Sequence, residues 1–167
     1  MRRCLVVANQ TLGGPALTHV VQEWLLEEQH SFYIVVPATP PKHRWTYTEG
    51  EAVTIARARL QDAIERFRAM GAAEVDGEVG DARPLDAISD ALRTGTFDAI
   101  LISTLPPGRS RWLKLDLPAR ARAEFGLPVV HVVSNANVAP LPRRPGEGFD
   151  VLPRASNPQT FEGGQQS

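Results

Sequence analysis

A chain of 167 residues with 43% hydrophobic and 22% charged side chains carries apolar material for one sizeable core and suits a single domain. Its 18 basic and 19 acidic side chains leave a formal net charge of −1, so no global field draws it to nucleic acid or to an anionic membrane. One cysteine, Cys4, excludes an internal disulfide framework, and the short apolar run after Met1-Arg2-Arg3 is too brief for a signal peptide or a spanning helix; a reducing, cytoplasmic setting is expected.

Residues 3–8, from Arg3 to Ala8, read as a buried strand, and Asn9 to Gly14 as a turn rich in glycine and short polar residues. Pro15 suits the first turn of a helix, and Leu17, Val20, Val21, Trp24 and Leu25 recur at three- and four-residue spacing through residues 16–28. Ser31 to Pro37 forms the second strand, after which Pro37, Pro40 and Pro41 keep residues 38–48 out of regular structure. The longest helical pattern covers residues 49–70, with Val53, Ala56, Leu60, Ile64 and Phe67 along one side, and Gly71 stops it. Residues 73–79 make a weaker strand, interrupted by Asp76 and Gly77 as befits a sheet edge. Gly80-Asp81 turns the chain, and Asp81 is placed to cap a helix over residues 83–93 that buries Leu85, Ile88 and Leu92 and ends at Gly95. Phe97 to Ile102, apolar apart from Asp98, reads as a central fourth strand. A loop from Ser103 to Lys114 follows, then a helix over residues 118–125 and a fifth strand from Pro128 to Val133.

Strands alternate with helices throughout, so the fold class is α/β. The expected form is a three-layer sandwich with a five-stranded parallel sheet and helices on both faces, because each right-handed crossover carries its helix back across the sheet. This domain takes residues 1–133. Residues 134–167 form a Pro/Gly-rich C-terminal tail, extended or disordered, whose plausible anchors are Phe149, Val151, Leu152 and Phe161.

Open α/β sheets bind ligands beyond the carboxyl ends of their strands, where backbone N–H groups and helix N-termini face an anion. The loop after the fourth strand occupies such a place and sets Arg109, Arg111 and Lys114 around Gly108 and Ser110. Glycine permits close approach and the cations supply charge-assisted bonds. The alternative is a rigid turn shaped by Pro106-Pro107-Gly108 with solvated cations, and both stay open. Trp112 is expected to pack against the helix end or a partner subunit rather than to stack on a base. Asn9, Gln10 and Thr11 occupy the turn after the first strand, where one hydroxyl is too few for a flavodoxin-like phosphate loop and no acid supports a response regulator. His19, His30, His43 and His131 lack metal-ligand spacing and take structural or surface roles, so no metal is expected. Ser103 and Thr104 have no base nearby in sequence, no catalytic constellation is identified, and the chain is not expected to be an enzyme. Cys4 reads as a small buried hydrophobe.

The run Val75-Asp76-Gly77-Glu78-Val79-Gly80-Asp81-Ala82-Arg83-Pro84-Leu85-Asp86-Ala87-Ile88, followed by Phe97-Asp98-Ala99-Ile100-Leu101-Ile102, resembles the second half of the universal stress protein family. Gly126-Leu127-Pro128-Val129-Val130 is similar to that family's last strand, and the first strand and helix extend the resemblance over residues 3–133. It implies strand order 3-2-1-4-5, a homodimer through the last strand, a stress-response setting and, in many members, bound ATP. The ATP-binding members carry Gly-x2-Gly-x9-Gly-Ser/Thr after the fourth strand, and those positions fall here at Ser103, Pro106, Asp116 and Leu117, none of which matches. Pro106 lacks an N–H, Asp116 brings negative charge toward a triphosphate, and the family's acid after the first strand is replaced by Asn9.

The resemblance therefore implies a small-molecule binding or sensing module that is not a standard ATP binder. Its pocket would draw on Asn9, Gln10, Thr11, Val36, Pro37, Gly80, Asp81, Ser103, Thr104, Gly108, Arg109, Ser110 and Lys114. No cofactor is assigned; an adenine nucleotide or a smaller anionic ligand remains to be tested, and neither nucleic acid nor membrane is an expected partner. The alternative is a dimeric interaction protein that binds no nucleotide and acts through its surface or its C-terminal tail. A nucleotide hydrolase or transferase ranks last, because no nucleophile or metal ligands are identifiable.

Overall fold

The first strand, β1 (Arg2–Val7), is buried on both sides from Cys4 onward without polar alternation, the pattern of a strand with helices above and below it. The computed structural model describes residues 1–40 and 48–134. In chain order the remaining elements are α1 (Pro15–Glu27), β2 (His30–Pro37), α2 (Glu49–Ala69), β3 (Glu74–Gly80), α3 (Pro84–Thr94), β4 (Ala99–Thr104), α4 (Arg111–Lys114), α5 (Leu117–Phe125) and β5 (Val129–Val133). All five strands are parallel, in the order β3-β2-β1-β4-β5, with β1 at the centre. His43, Pro41 and the tail from residue 135 lie outside the described residues.

The period of two along β1 sorts its side chains between two cores. Cys4, Val6 and Ala8 join α1 and α2 on one face, together with Leu17, Val21, Leu60, Ile64 and Phe67. Leu5 and Val7 join α3, α4 and α5 on the other, with Ile88, Trp112, Leu117 and Ala121. Each fully buried Leu, Ile or Val contributes about 1.5–3 kcal/mol relative to exposure, so the central strands dominate the stabilisation. Trp112 thus belongs to a core, in a short helix within a segment that the sequence pattern leaves as loop.

Local signals set the helix ends. Thr48 and Glu51 make a capping box at the start of α2, each side chain meeting the other's backbone N–H at 3.3 Å. In β3, Gly77 continues the ladder rather than breaking it, and the position requires glycine because a Cβ there would collide with Ile34 O. Gly80 lets α3 close onto the sheet, since its Cβ would come within 2.8 Å of the Ala87 methyl.

Two expected boundaries shift. The fourth strand runs over 99–104 rather than 97–102, because Ser103 and Thr104 keep pairing with Val132 and Val133 of β5. At its other end Arg3 N donates to the Asp98 carboxylate at 2.8 Å, replacing a ladder bond by a side-chain one. Asp81 does not cap α3: that helix begins one residue after Arg83, and Asp81 Oδ1 accepts from Arg83 N at 2.8 Å, stabilising the preceding turn.

Candidate functional site

The chain leaves β1 toward the α1/α2 face and leaves β4 toward the α4/α5 face, so the two connections diverge at the carboxyl ends of neighbouring strands, the switch point at which open α/β sheets place a ligand crevice. Along its rim the β1 turn is tied at several points. Leu12 N and Gly14 N donate to Asn9 O and Thr11 O at 3.2 and 2.9 Å. Asn9 Nδ2 donates to Pro37 O at 2.7 Å, and Thr11 Oγ1 donates to Ser103 O at 3.1 Å, so one turn spans β2, β1 and β4.

Helix α2 supplies what the sequence pattern does not single out. The Arg59 guanidinium donates to Asn9 Oδ1, and Arg66 Nη2 donates to Leu12 O at 3.1 Å. Half-buried Arg59 therefore sets a permanent positive charge beside the crevice. Two further hydroxyls lie at the strand ends. Ser103 Oγ and Ser134 Oγ, on residues each 1% exposed, have no hydrogen-bond partner among the described residues. Ser134 N donates to Thr104 O at 2.8 Å, extending the β4–β5 pairing, and a Cβ at Gly14 would sit 3.2 Å from Ser134 Oγ.

On the opposite face of β4, Thr104 Oγ1 meets His131 Nε2 at 2.7 Å. This is the base that sequence proximity cannot find, since β4 and β5 bring together residues 27 apart. Burial, and then the nearby Arg122 cation, push the His131 imidazole below its ordinary value and favour the neutral ring, whose tautomer sets the direction of the hydrogen bond to Thr104.

The remaining expected residues occupy packing, turn and surface positions. Val36 points into the α1/α2 core. Pro37 and Gly80 are paired across β2 and β3, and Gly80 and Asp81 have the packing and turn roles described above. Gln10 is exposed at the turn. In the loop after β4, Arg109 N and Ser110 N both donate to Pro106 O at 3.1 Å, and Gly108 adopts φ +86, the left-handed region glycine tolerates. Ser110 Oγ accepts from Leu113 N at 3.2 Å and caps α4, while Arg109 and Lys114 stand exposed. Glycine at 108 is explained by the turn, and open space surrounds it. Among the described residues no group of three or more His, Cys, Asp or Glu is placed to hold a metal, and no helix is long and apolar enough to cross a membrane.

No protein-family model matches the chain, and no curated protein matches it. Solved structures do. A universal stress protein from Archaeoglobus fulgidus is similar with a TM-score of 0.54 and 19% identity, over 79% of this chain and 93% of that one. A universal stress protein in complex with cAMP gives a TM-score of 0.49 and 14% identity, over 81% of this chain and 98% of that one. At the level of architecture and strand order, the chain has the universal stress protein fold.

Proposed function

We propose that the chain is a universal-stress-protein-like module that binds or senses a small anionic molecule at the β1/β4 crevice, and that it does so without the standard grip on ATP. The observation that carries this is the pair of buried hydroxyls, Ser103 Oγ and Ser134 Oγ, without partners among the described residues. A buried polar atom left unsatisfied costs about 1–3 kcal/mol, which a ligand oxygen bound after a small opening of the turn would recover. Arg59 biases that ligand toward negative charge. A triphosphate finds little to hold it at the β4 loop, where Pro106 offers no N–H and the Ser110 hydroxyl is engaged as a helix cap.

Binding is favoured over catalysis. The Thr104 hydroxyl has a base at His131, but Thr104 is 2% exposed and the charged neighbour acting on His131 is Arg122, which opposes the imidazolium that a nucleophilic mechanism would form. A single buried cysteine suits a reducing, cytoplasmic setting.

Thermal-shift measurements with inorganic phosphate, AMP, and ATP with and without magnesium test the proposal. Phosphate or AMP is expected to raise the melting midpoint, with magnesium-ATP no more effective than AMP, because a ligand at about 100 times its Kd adds about 2.7 kcal/mol to stability. An unmoved midpoint with every probe at millimolar concentration would remove the binding function.

The second reading, a dimeric interaction protein, draws on a different observation. The two sheet edges are unlike: β3 carries Glu74, Asp76 and Glu78, whereas β5 is Val-Val-His-Val-Val with Val130 and Val133 38% and 45% exposed. Three carboxylates along the strand guard the first edge against pairing, whereas β5 itself carries no acid or permanent cation and is met by Arg122, which donates to Val129 O at 3.2 Å near the strand's start, so a second copy is the occupant we infer for β5.

A further inference from the structure

Helix α1 leaves the carboxyl end of β1 and runs back across the sheet to the start of β2, so its first turn stands at the carboxyl ends of the strands. The chain leaves that turn uncapped. The first N–H groups of a helix have no acceptor within it, and at α2 the Thr48 hydroxyl and two glutamates compensate for this. At α1 the N-cap is Gly14, which has no side chain to offer, and the first turn holds no acid. Gly14 N is satisfied by Thr11 O, and Pro15 has no N–H. The N–H groups of Ala16 and Leu17 meet no acceptor among the described residues.

Two hydroxyls independently face the same turn. Leu101 and Val132 pack in the α1/α2 core, and the period of two along their strands sets Ser103 and Ser134 on that side, one step further toward the carboxyl end. Ser134 Oγ lies 3.2 Å from where a Cβ on Gly14 would sit, which brings it against the N-cap of α1. Ser103 is tied to the same turn through Thr11, whose hydroxyl donates to its carbonyl. Both serines are 1% exposed, and neither Oγ has a hydrogen-bond partner among the described residues. Two helix N–H groups and two hydroxyls thus offer four donors, with the positive end of the helix dipole behind them. The approach is narrow, because a Cβ at Gly14 would already lie 3.1 Å from Thr11 O. Such quarters admit the end of a ligand rather than its middle.

Taking as premise that the crevice receives an anion, we propose that the group it takes is a terminal phosphoryl, that of a phosphate monoester, seated on the first turn of α1 rather than on the loop after β4. Ala16 N, Leu17 N, Ser103 Oγ and Ser134 Oγ donate to its oxygens as the turn from Asn9 to Gly14 opens. A monoester presents three free oxygens with nearly two negative charges, which matches this donor set. A phosphodiester presents two free oxygens and one charge, and carries a substituent on each side of the phosphorus.

Titration of the full chain with AMP and with cAMP, followed by amide NMR, tests the assignment. AMP is expected to give saturable shifts at the Ala16 and Leu17 amides, and cAMP to bind at least tenfold more weakly. Ser134→Ala is expected to weaken AMP binding about tenfold, equivalent to about 1.4 kcal/mol, yet to melt no lower than wild type without ligand, because it removes an unsatisfied buried hydroxyl. Saturable AMP shifts that spare Ala16 and Leu17, cAMP binding as tightly as AMP, or wild-type AMP affinity in Ser134→Ala would each overturn the phosphoryl assignment and leave the crevice as an anion site. A ligand-free Ser134→Ala protein melting well below wild type would overturn it too, by showing the hydroxyl already satisfied. The comparison of AMP with cAMP needs no variant, and no saturable binding by either would remove the crevice reading together with this one.

Discussion

Asn9, expected to touch ligand, also holds the place where a ligand would sit. Its carboxamide joins Pro37 of β2 to Arg59 of α2, so it fixes the crevice wall. Arg59 was not legible in the sequence, because it flanks an apolar helical stripe like many solvated arginines and its partner is 50 residues away. Cys4 was legible as a buried hydrophobe: burial pushes its thiol up to about 12, and modification by a thiol reagent at neutral pH is expected to wait for unfolding, a rate that denaturant should accelerate. At His131 the folded-state value lies below the ordinary 6.5, so the unfolded chain binds more protons between the two values. Stability contributed there is present above that window and is lost as pH falls through it toward the folded value. Melting midpoints of wild type and His131→Gln should therefore converge or cross on acidification below about pH 6.5, and parallel pH profiles would contradict this.

At the scale of elements, apolar runs and helical periodicity made every strand and the longer helices visible, because burial on both faces of a parallel sheet leaves a near-continuous signal. The errors came where tertiary pairing decides. Ser103 and Thr104 look like loop yet stay in β4 because β5 offers them partners, and the four-residue α4 is held by the Ser110 cap and the burial of Trp112. Ser134, assigned to the tail, closes the same pairing. One local signal was present and unread: Thr48 and Glu51 have capping-box spacing. Thr48→Ala is expected to cost about 1 kcal/mol and to lower the urea midpoint without changing the slope of the transition.

For the whole molecule, the sheet gathers hydroxyls and an arginine at the carboxyl end of its central strands, and its two edges differ in chemistry. The β3 edge is guarded by charge and the β5 edge is apolar. Sedimentation at micromolar concentration is expected to show a dimer, and Val133→Lys, which sets a charge on the exposed edge, to return it to monomer; a wild-type monomer would dismiss the edge as an interface.

The central claim is that the β1/β4 crevice receives a small anion, and NMR mapping of AMP binding on the full chain tests it most directly. Saturable amide shifts are expected at Asn9 to Gly14, Ser103, Thr104 and Ser134, weakened by Ser103→Ala. The absence of saturable shifts, or shifts confined to Gly108 to Lys114 and unaffected by Ser103→Ala, would contradict it.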